Sequence, residues 1–400
     1  MLSFGNSRRP NVAVITPAIA REGITKQVAN QIAALQERKV NVCLIVLSDF
    51  DADVLQELGV LVPPQDILQL RQQDAYLSPQ AFLSSLSIIG PILQFLKKRQ
   101  VSVVVANAPY AHFIMRLVKL FGFTTGLRLA LHQYYHGLQY AQFPLNSFPR
   151  ITINSLNQGL ARLADNSHIS ISKATRTDVE AHFMKHHRHV VLYNPIFNLA
   201  KVPTEKVSVF VGKEEAFKIV LPGRLDCNKG QLFFLEVLER FLKRKRIKAG
   251  NLQLLLIGAG EAEEEIKARI RNNSLNAFVR LTGAVSNPHL RCMLEKADLV
   301  VVPSFVEGLS FVALEALAAG TTLLASDAGG LKEVVNDGET GFLFAAGDQE
   351  DCLAKLEHVY HNRDKELIDR AKVEQDINNR FSYKVYKEKF FRHLFYDTNS

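Results

Sequence analysis

Short, almost wholly apolar runs recur along the chain, and each is followed by a stretch with helical spacing. This alternation constrains the fold more than any other feature. In the first half the runs are Val12–Thr16, Val42–Leu47, Val101–Ala106, Leu127–Leu131, Ile169–Ser172 and Val190–Tyr193. In the second half they are Lys218–Leu221, Leu252–Ile257, Val279–Thr282, Leu299–Val302, Thr322–Ala325 and Phe342–Phe344. Strands this apolar belong to parallel sheets covered on both faces. Strand and helix in alternation make βαβ units. Two sets of six predict an α/β chain of two doubly wound, Rossmann-like halves.

The stretch between the sets opens with Asn194-Pro195, carries Pro203 and then GKEEAF, and reads as a connection with little structure of its own. The expected division is a first domain over 1–195, a linker over 196–216, a second domain over 217–380 and a terminal segment over 381–400. Residues 381–395, FSYKVYKEKFFRHLF, have the pattern of an amphipathic helix. Ligands of doubly wound folds bind beyond the carboxyl ends of the strands, so two such domains facing each other leave a cleft for a ligand.

Hydrophobic residues make up 47% and charged residues 22% of the 400, which excludes a disordered, collagenous or coiled-coil chain. No run approaches the roughly 18 apolar residues that span a bilayer. Arg8 and Arg9 ahead of NVAVITPAIA imitate a secretory leader, but Thr16 and Pro17 interrupt the apolar stretch, and a first buried strand accounts for it better. Cys43, Cys227, Cys292 and Cys352 lie far apart with no CxxC spacing, which fits free thiols in a reducing, cytoplasmic setting. The net charge of +8 is unevenly placed: residues 1–200 hold 19 Lys and Arg against 11 Asp and Glu, and residues 201–400 hold 29 against 29. The first half is therefore suited to an anionic surface, either acidic lipid or nucleic acid. No nucleic-acid motif accompanies the charge, so lipid is the expected partner and nucleic acid is not.

The strongest chemical signal is VVPSFVEGLSFVALEALAAG, residues 301–320. A strand ends at Pro303, a turn carries Glu307, Gly308 and Leu309, and Ser310 has the chemistry of an N-cap. The helix that follows is apolar on every side except Glu315, which marks it as buried. A lone carboxylate there needs a partner, either a ligand hydroxyl pair or a buried Arg or Lys. Side chains lean toward the helix start, so Glu315 can approach whatever docks at the N–H groups of Gly308, Leu309 and Ser310, a ready anion site.

A second signal is FKIVLPGRLDCNKGQ, residues 217–231, whose loop presents Arg224 and Lys229 between Gly223 and Gly230. A planar fork beside a mobile point charge suits a diphosphate, although loop cations are also commonly just solvated. A third is LQLLLIGAGEAEEE, residues 252–265. Gly258 and Gly260 imitate a dinucleotide fingerprint, but Glu263 stands at the third glycine, and the run of glutamates would repel a pyrophosphate. Gly258 can still meet the uncharged part of a nucleotide.

PGRLDCNKG, LLLIGAGE, VRLTGAV, PSFVEGLSFVALEALAAG and LKEVVNDGETGFLF, taken in order over residues 217–345, resemble the carboxyl-terminal half of the family-4 retaining glycosyltransferases. In the first half, Gly23 with its following helix resembles the family's glycine loop. LALHQ resembles its strand ending in a functional histidine, and ADNSHISISKATRTDV and LYNPI resemble the close of its acceptor domain. The resemblance implies the GT-B fold, with two Rossmann-like domains facing across a cleft and the terminal helix crossing back to the first. It implies that Arg224 and Lys229 hold the donor diphosphate, that Glu307 binds the transferred sugar and that Glu315 grips the ribose. Leu309 and Ser310 would face sugar and phosphate, Val285 would meet the base, and His132 would reach the donor sugar. It implies front-face substitution with retention, no cofactor and no metal, and a saccharide or lipid-linked acceptor. The chain departs from the family at Glu22, at Ser310 where glycine is frequent, and at Thr321-Thr322 where Thr-Pro is frequent.

Other readings rest on fewer residues. His132 also reads as a core histidine, with His136 as the second candidate. His182, His186, His187 and His189 lie among cations, which disfavours a metal site, and read as a solvated turn. Residues 78–99 read as a crossover helix broken at Gly90-Pro91, with an interfacial membrane helix as the alternative. Rival functions are a GT-B epimerase, a phosphorylase and a non-catalytic nucleotide-sugar-binding module.

Overall fold

The structure, a computed structural model, describes residues 10–71, 79–196, 210, 213–365 and 367–396. Most of the expected linker, 197–209 and 211–212, lies outside the described residues, as does the leader-like segment 1–9. The chain divides into two compact units, residues 1–195 with 383–400 and residues 196–382. It enters and leaves the second unit side by side, where Ile196 N–H donates to Phe381 O at 2.8 Å.

In the first unit the strands are β1 (Asn11–Thr16), β2 (Asn41–Val46), β3 (Ile67–Gln69), β4 (Val101–Asn107), β5 (Ala130–Tyr135), β6 (Ser167–Ser170) and β7 (His189–Val191). Its helices are α1 (Gly23–Glu37), α2 (Ala52–Glu57), α3 (Pro79–Lys98), α4 (Pro109–Thr124), α5 (Gln139–Gln142), α6 (Phe148–Ala164) and α7 (Lys173–His182). All neighbouring strands run parallel in the order β3-β2-β1-β4-β5-β6-β7. Ile15, Val104 and Leu131 on the sheet share one core with Ile92 of α3, Ile114 of α4 and Ala164 of α6. The helix α1 packs against a helix from the far end of the chain, Tyr383–Phe395.

The second unit contains β8 (Phe217–Pro222), β9 (Leu252–Ile257), β10 (Val279–Gly283), β11 (Leu299–Val302), β12 (Leu323–Ser326) and β13 (Phe342–Phe344). Its helices are α8 (Gln231–Lys245), α9 (Glu263–Asn272), α10 (Asn287–Glu295), α11 (Phe311–Ala318), α12 (Leu331–Val334), α13 (Gln349–His361) and α14 (Arg370–Arg380), and α15 is the Tyr383–Phe395 helix of the first unit. The strands are again all parallel, in the order β10-β9-β8-β11-β12-β13. Phe234 and Phe241 of α8, Ile266 of α9 and Leu356 of α13 fill one face of the sheet. The helix α11 packs on β11, β12, α10 and α14. These are two Rossmann-like parallel sheets, the α/β architecture that the apolar runs predict.

Three local features differ from the sequence reading, the first being a seventh strand, β3, that no apolar run marked. The fifth strand lies at Ala130–Tyr135, not at Leu127–Leu131, so it runs on through polar residues. Pro91 lies inside α3 rather than ending it, while Ile88, Ile89 and Leu96 bury that helix against the sheet as a crossover helix.

Candidate active site

In each sheet the strand order reverses direction at one point, between β1 and β4 in the first and between β8 and β11 in the second. Loops leaving the carboxyl ends of those strands border the ligand crevice of a doubly wound fold. The loop after β8 is shaped by Asp226, whose buried carboxylate accepts from Asn228 N–H at 2.9 Å and from Arg224 Nε at 2.7 Å. That bond orients a guanidinium that remains largely exposed. Lys229, three residues further on, donates to Glu307 at 2.8 Å across the switch point. The Ser304 hydroxyl also donates to Glu307, at 3.3 Å.

The loops are locked together by backbone. Phe305 N–H donates to Asn228 O at 2.7 Å, and the Ser326 hydroxyl donates to Ser304 O at 2.5 Å. Gly330 N–H donates to Glu307 O at 3.0 Å. Gly230 has φ +72°, and a Cβ there would lie 2.0 Å from Pro303 O. A Cβ on Gly258 would lie 2.0 Å from Gly223 O, so the loops after β8 and β9 touch as well. A Cβ on Gly330 would lie 1.9 Å from Gly308 O. The sequence reading passed over Gly330; its Gly329-Gly330 pair just after a strand was the available signal. Gly330→Ala must displace the Glu307 loop, and we expect a loss of about 1–3 kcal/mol from overpacking. Urea denaturation measures it, and an unchanged midpoint would show that the two loops are not in contact.

Ser310 caps α11, its hydroxyl accepting from Ala313 N–H at 3.2 Å. Gly308 and Leu309 are buried in front of it, and Glu315 is half-buried in the second turn. Val285 lies two residues beyond β10. Arg224, Lys229, Gly258, Val285, Glu307, Leu309, Ser310 and Glu315 thus all belong to the second unit, in or beside the segments that leave the carboxyl ends of β8, β9, β10 and β11. Gly23 opens α1 in the first unit.

His132 is corrected. It is the third residue of β5 and fully buried, with Nδ1 2.7 Å from Ser167 Oγ, which in turn meets His393 Nε2 at 2.7 Å. Burial, reinforced by the neighbouring His393, pushes its pKa down to about 3. Since α15 covers it, it is a core histidine and does not reach a ligand. The residue just past the strand is His136, half-buried, with Nε2 2.8 Å from Asn107 Oδ1. Asn107 ends β4 and exchanges two amide hydrogen bonds with Gln31 of α1. Burial lowers the His136 pKa to about 3, so the ring is neutral. An amide oxygen only accepts, so Nε2 carries the proton and Nδ1 keeps its lone pair. His189, read as flanking a solvated turn, is buried in β7.

The comparisons with known proteins agree with this geometry. Residues 204–376 match the family described as "Glycosyl transferases group 1", and residues 21–196 match "Glycosyltransferase Family 4". The fold matches HepE of Anabaena in complex with UDP and glucose, with a TM-score of 0.75 at 17% identity over 96% of this chain and 99% of that one. Fold and matched segments together define the class, a GT-B protein of the glycosyltransferase type. The chain belongs to the family-4 glycosyltransferases. A sulfoquinovosyl transferase of Arabidopsis thaliana is 29% identical over 187 residues, 46% of this chain and 34% of that protein. An N-acetyl-D-galactosaminyltransferase of Campylobacter jejuni, named for an undecaprenol-linked diphosphate acceptor, is 28% identical over 172 residues, 42% of this chain and 46% of that protein. The chain therefore spans about a third to a half of the length of these relatives.

Proposed function

We propose that the protein is a retaining glycosyltransferase that moves a hexose-type sugar from a nucleotide diphosphate sugar to a saccharide or lipid-linked acceptor. The observation that carries the reading is the Lys229–Glu307 pair at the switch point of the second sheet, with Arg224 on the same loop and a helix N-terminus alongside. A diphosphate entering this loop replaces the Glu307 carboxylate as the partner of the Lys229 ammonium. Glu307 is then free to accept hydrogen bonds from the hydroxyls of the transferred sugar. Arg224, already steered by Asp226, forks onto the other phosphate. Glu315 accepts from the ribose hydroxyls, Val285 and Gly258 line the base and ribose side, and backbone N–H groups at Leu309 and Ser310 face sugar and phosphate.

Departure of the nucleoside diphosphate builds negative charge, and two cations with a helix N-terminus stabilise it without a metal or other cofactor. The acceptor oxygen bonds the anomeric carbon on the face from which the diphosphate oxygen leaves, so configuration is retained, and the departing diphosphate takes the acceptor's proton. In the first unit Gly23, at the start of α1, contributes to donor binding, and the Nδ1 lone pair of neutral His136 accepts from a substrate hydroxyl. HepE is described with UDP and glucose, and the Campylobacter relative by a lipid-linked acceptor, which supports both substrate classes. Among the described residues no helix is long and apolar enough to cross a membrane. The basic first half suits a peripheral position on an anionic cytoplasmic membrane face.

A thermal-shift panel of nucleotide sugars tests the reading. A ligand at a hundred times its dissociation constant adds about 2.7 kcal/mol to the folded state. We expect one donor class to stand out, and Arg224→Ala and Lys229→Ala to lose its shift while melting normally without ligand. Equal shifts in wild type and both variants would overturn the diphosphate role.

A further inference from the structure

From Ala75 to Ala164 the sequence contains eight Lys and Arg and not one Asp or Glu. The whole net charge of the chain therefore resides in one segment, which includes α3, α4 and α6, the helices on one face of the first sheet. Two of the cations are neutralised from outside the segment, Arg99 by Asp66 and Arg116 by Asp165. Lys97, Lys98, Arg128 and Arg162 are exposed, and Lys119 and Arg150 are half-exposed. Lys119 is bonded inward, donating at 2.6 Å to Ala164 O and Asn166 Oδ1 in the field of Asp165; among the described residues, none of the other five has a carboxylate partner.

The helix α6 is also inside out. Its inner face carries Asn154 and Asn157, both buried, with Asn154 Oδ1 accepting from Tyr140 OH and Asn157 Oδ1 from Arg116 Nη1. Its outer face carries Phe148, 81% exposed, Leu163, 74% exposed, and Ile151 and Leu156. Phe121 and Phe123, at the end of the neighbouring α4, are exposed too. Monomeric proteins seldom leave so many large apolar side chains exposed without a use for them.

We propose that the outer surface of α3, α4 and α6 is a docking face for an anionic lipid bilayer. Cations that attract phosphate headgroups, interleaved with Phe and Leu that enter the acyl boundary, are what an interfacial surface needs. A second copy of the chain does not fit, because a symmetric contact would set the cations of one face against those of the other. The proposal rests on the reading that the acceptor is carried on a membrane, and it assigns that contact to a defined face.

The test is flotation of the whole protein with vesicles of equal phosphatidylglycerol and phosphatidylcholine, and with vesicles of phosphatidylcholine alone. We expect flotation with the first only, weakening as salt is raised. Arg150→Glu with Arg162→Glu should lower partitioning at least about 25-fold, at about fivefold for each cation lost. Phe148→Ser with Leu163→Ser should weaken the binding that survives high salt. Lys384→Glu with Lys389→Glu on α15 makes the same charge change on the other face and should leave partitioning unaltered. The proposal falls if wild type stays down with both vesicles, or if the α15 pair loses as much as the α6 pair. It also falls if Phe148→Ser with Leu163→Ser dissolves a dimer instead of weakening flotation, or if single-stranded DNA binds more tightly than the vesicles. Donor-induced thermal shift, read on the same variants, separates the two readings. Flotation without any donor shift keeps the docking face and removes the transferase; a donor shift without flotation does the reverse.

Discussion

Arg116→Met should destabilise the first unit by about 3–5 kcal/mol, the cost of leaving a buried charge without its counter-ion. Arg116 and Asp165 are both essentially inaccessible to solvent. The guanidinium donates to both carboxylate oxygens at 2.7–3.1 Å and to Asn157 at 2.6 Å, and its far face lies over the Phe183 ring at 5.1 Å. Burial alone would push the Asp165 carboxyl up. The Arg116 charge outweighs that, helped by hydrogen bonds from His168 and Arg116, and holds it well below the usual carboxylate range. Gln133 Nε2 completes the set at 2.8 Å. Methionine keeps the volume and removes the charge, so Asp165 must either take a proton or remain ionised with weaker partners. Urea denaturation followed by circular dichroism reads the loss. A change under 1 kcal/mol would mean that water reaches the pair. Arg116→Met with Asp165→Asn should recover part of the stability, because no naked charge is left inside.

Acid should weaken the same unit. His132 and His136 have pKa values near 3 in the folded chain because burial disfavours the imidazolium. An unfolded histidine titrates near 6.5. The folded value lies below the unfolded one, so the stabilisation is complete above about pH 6.5 and falls as the unfolded chain takes up protons. Between pH 7 and pH 5 each ring costs about 2 kcal/mol, or about 4 kcal/mol for the pair. The chain has no tryptophan, so amide exchange in β5 is the better local probe. It should accelerate steeply over that interval in wild type and less steeply, on a logarithmic scale, in His132→Gln, where the lowered His112, His168, His186 and His189 of the same unit still contribute. A flat profile would show that the fold lowers the pKa of neither ring.

The apolar strands were legible because burial on both faces leaves a continuous hydrophobic signature: β9, β11 and β13 begin and end where the runs do. β5 lacks that signature. After Leu131 it continues through His132, Gln133, Tyr134 and Tyr135, all buried. The polar partners they do have come from distant parts of the chain, and His132 Nε2 and Gln133 Oε1 have none among the described residues. Ser167 bonds His132 Nδ1 and the His393 ring lies edge-on beside it, Asp165 accepts from Gln133, and Gln27 and Tyr386 meet the Tyr134 hydroxyl. No local pattern reveals partners 32 to 261 positions away, so the strand was placed early and His132, inside it, was expected to reach a ligand. Arg224, Lys229 and Glu307 were legible for the opposite reason. Each lies within a few residues of an apolar strand, where a change from buried backbone to glycine and charge stands out. The contact between Gly330 and the Glu307 loop was not legible, since a carbonyl in van der Waals contact has no signature of its own.

The interlocked turns of the second unit limit how such a protein can be retuned. Main-chain hydrogen bonds and close glycine contacts, together with the Lys229–Glu307 pair and the Ser326 hydroxyl, hold the Arg224, Glu307 and Gly330 segments in register, so none of these segments can shift alone. Lengthening one of them to fit a bulkier sugar would drag its neighbours and misplace the charges that meet the phosphates. New donor preference is better sought by trading protruding side chains on an unmoved main chain, for instance at the exposed Phe305, which packs edge-on against Phe233 at a ring separation of 5.7 Å.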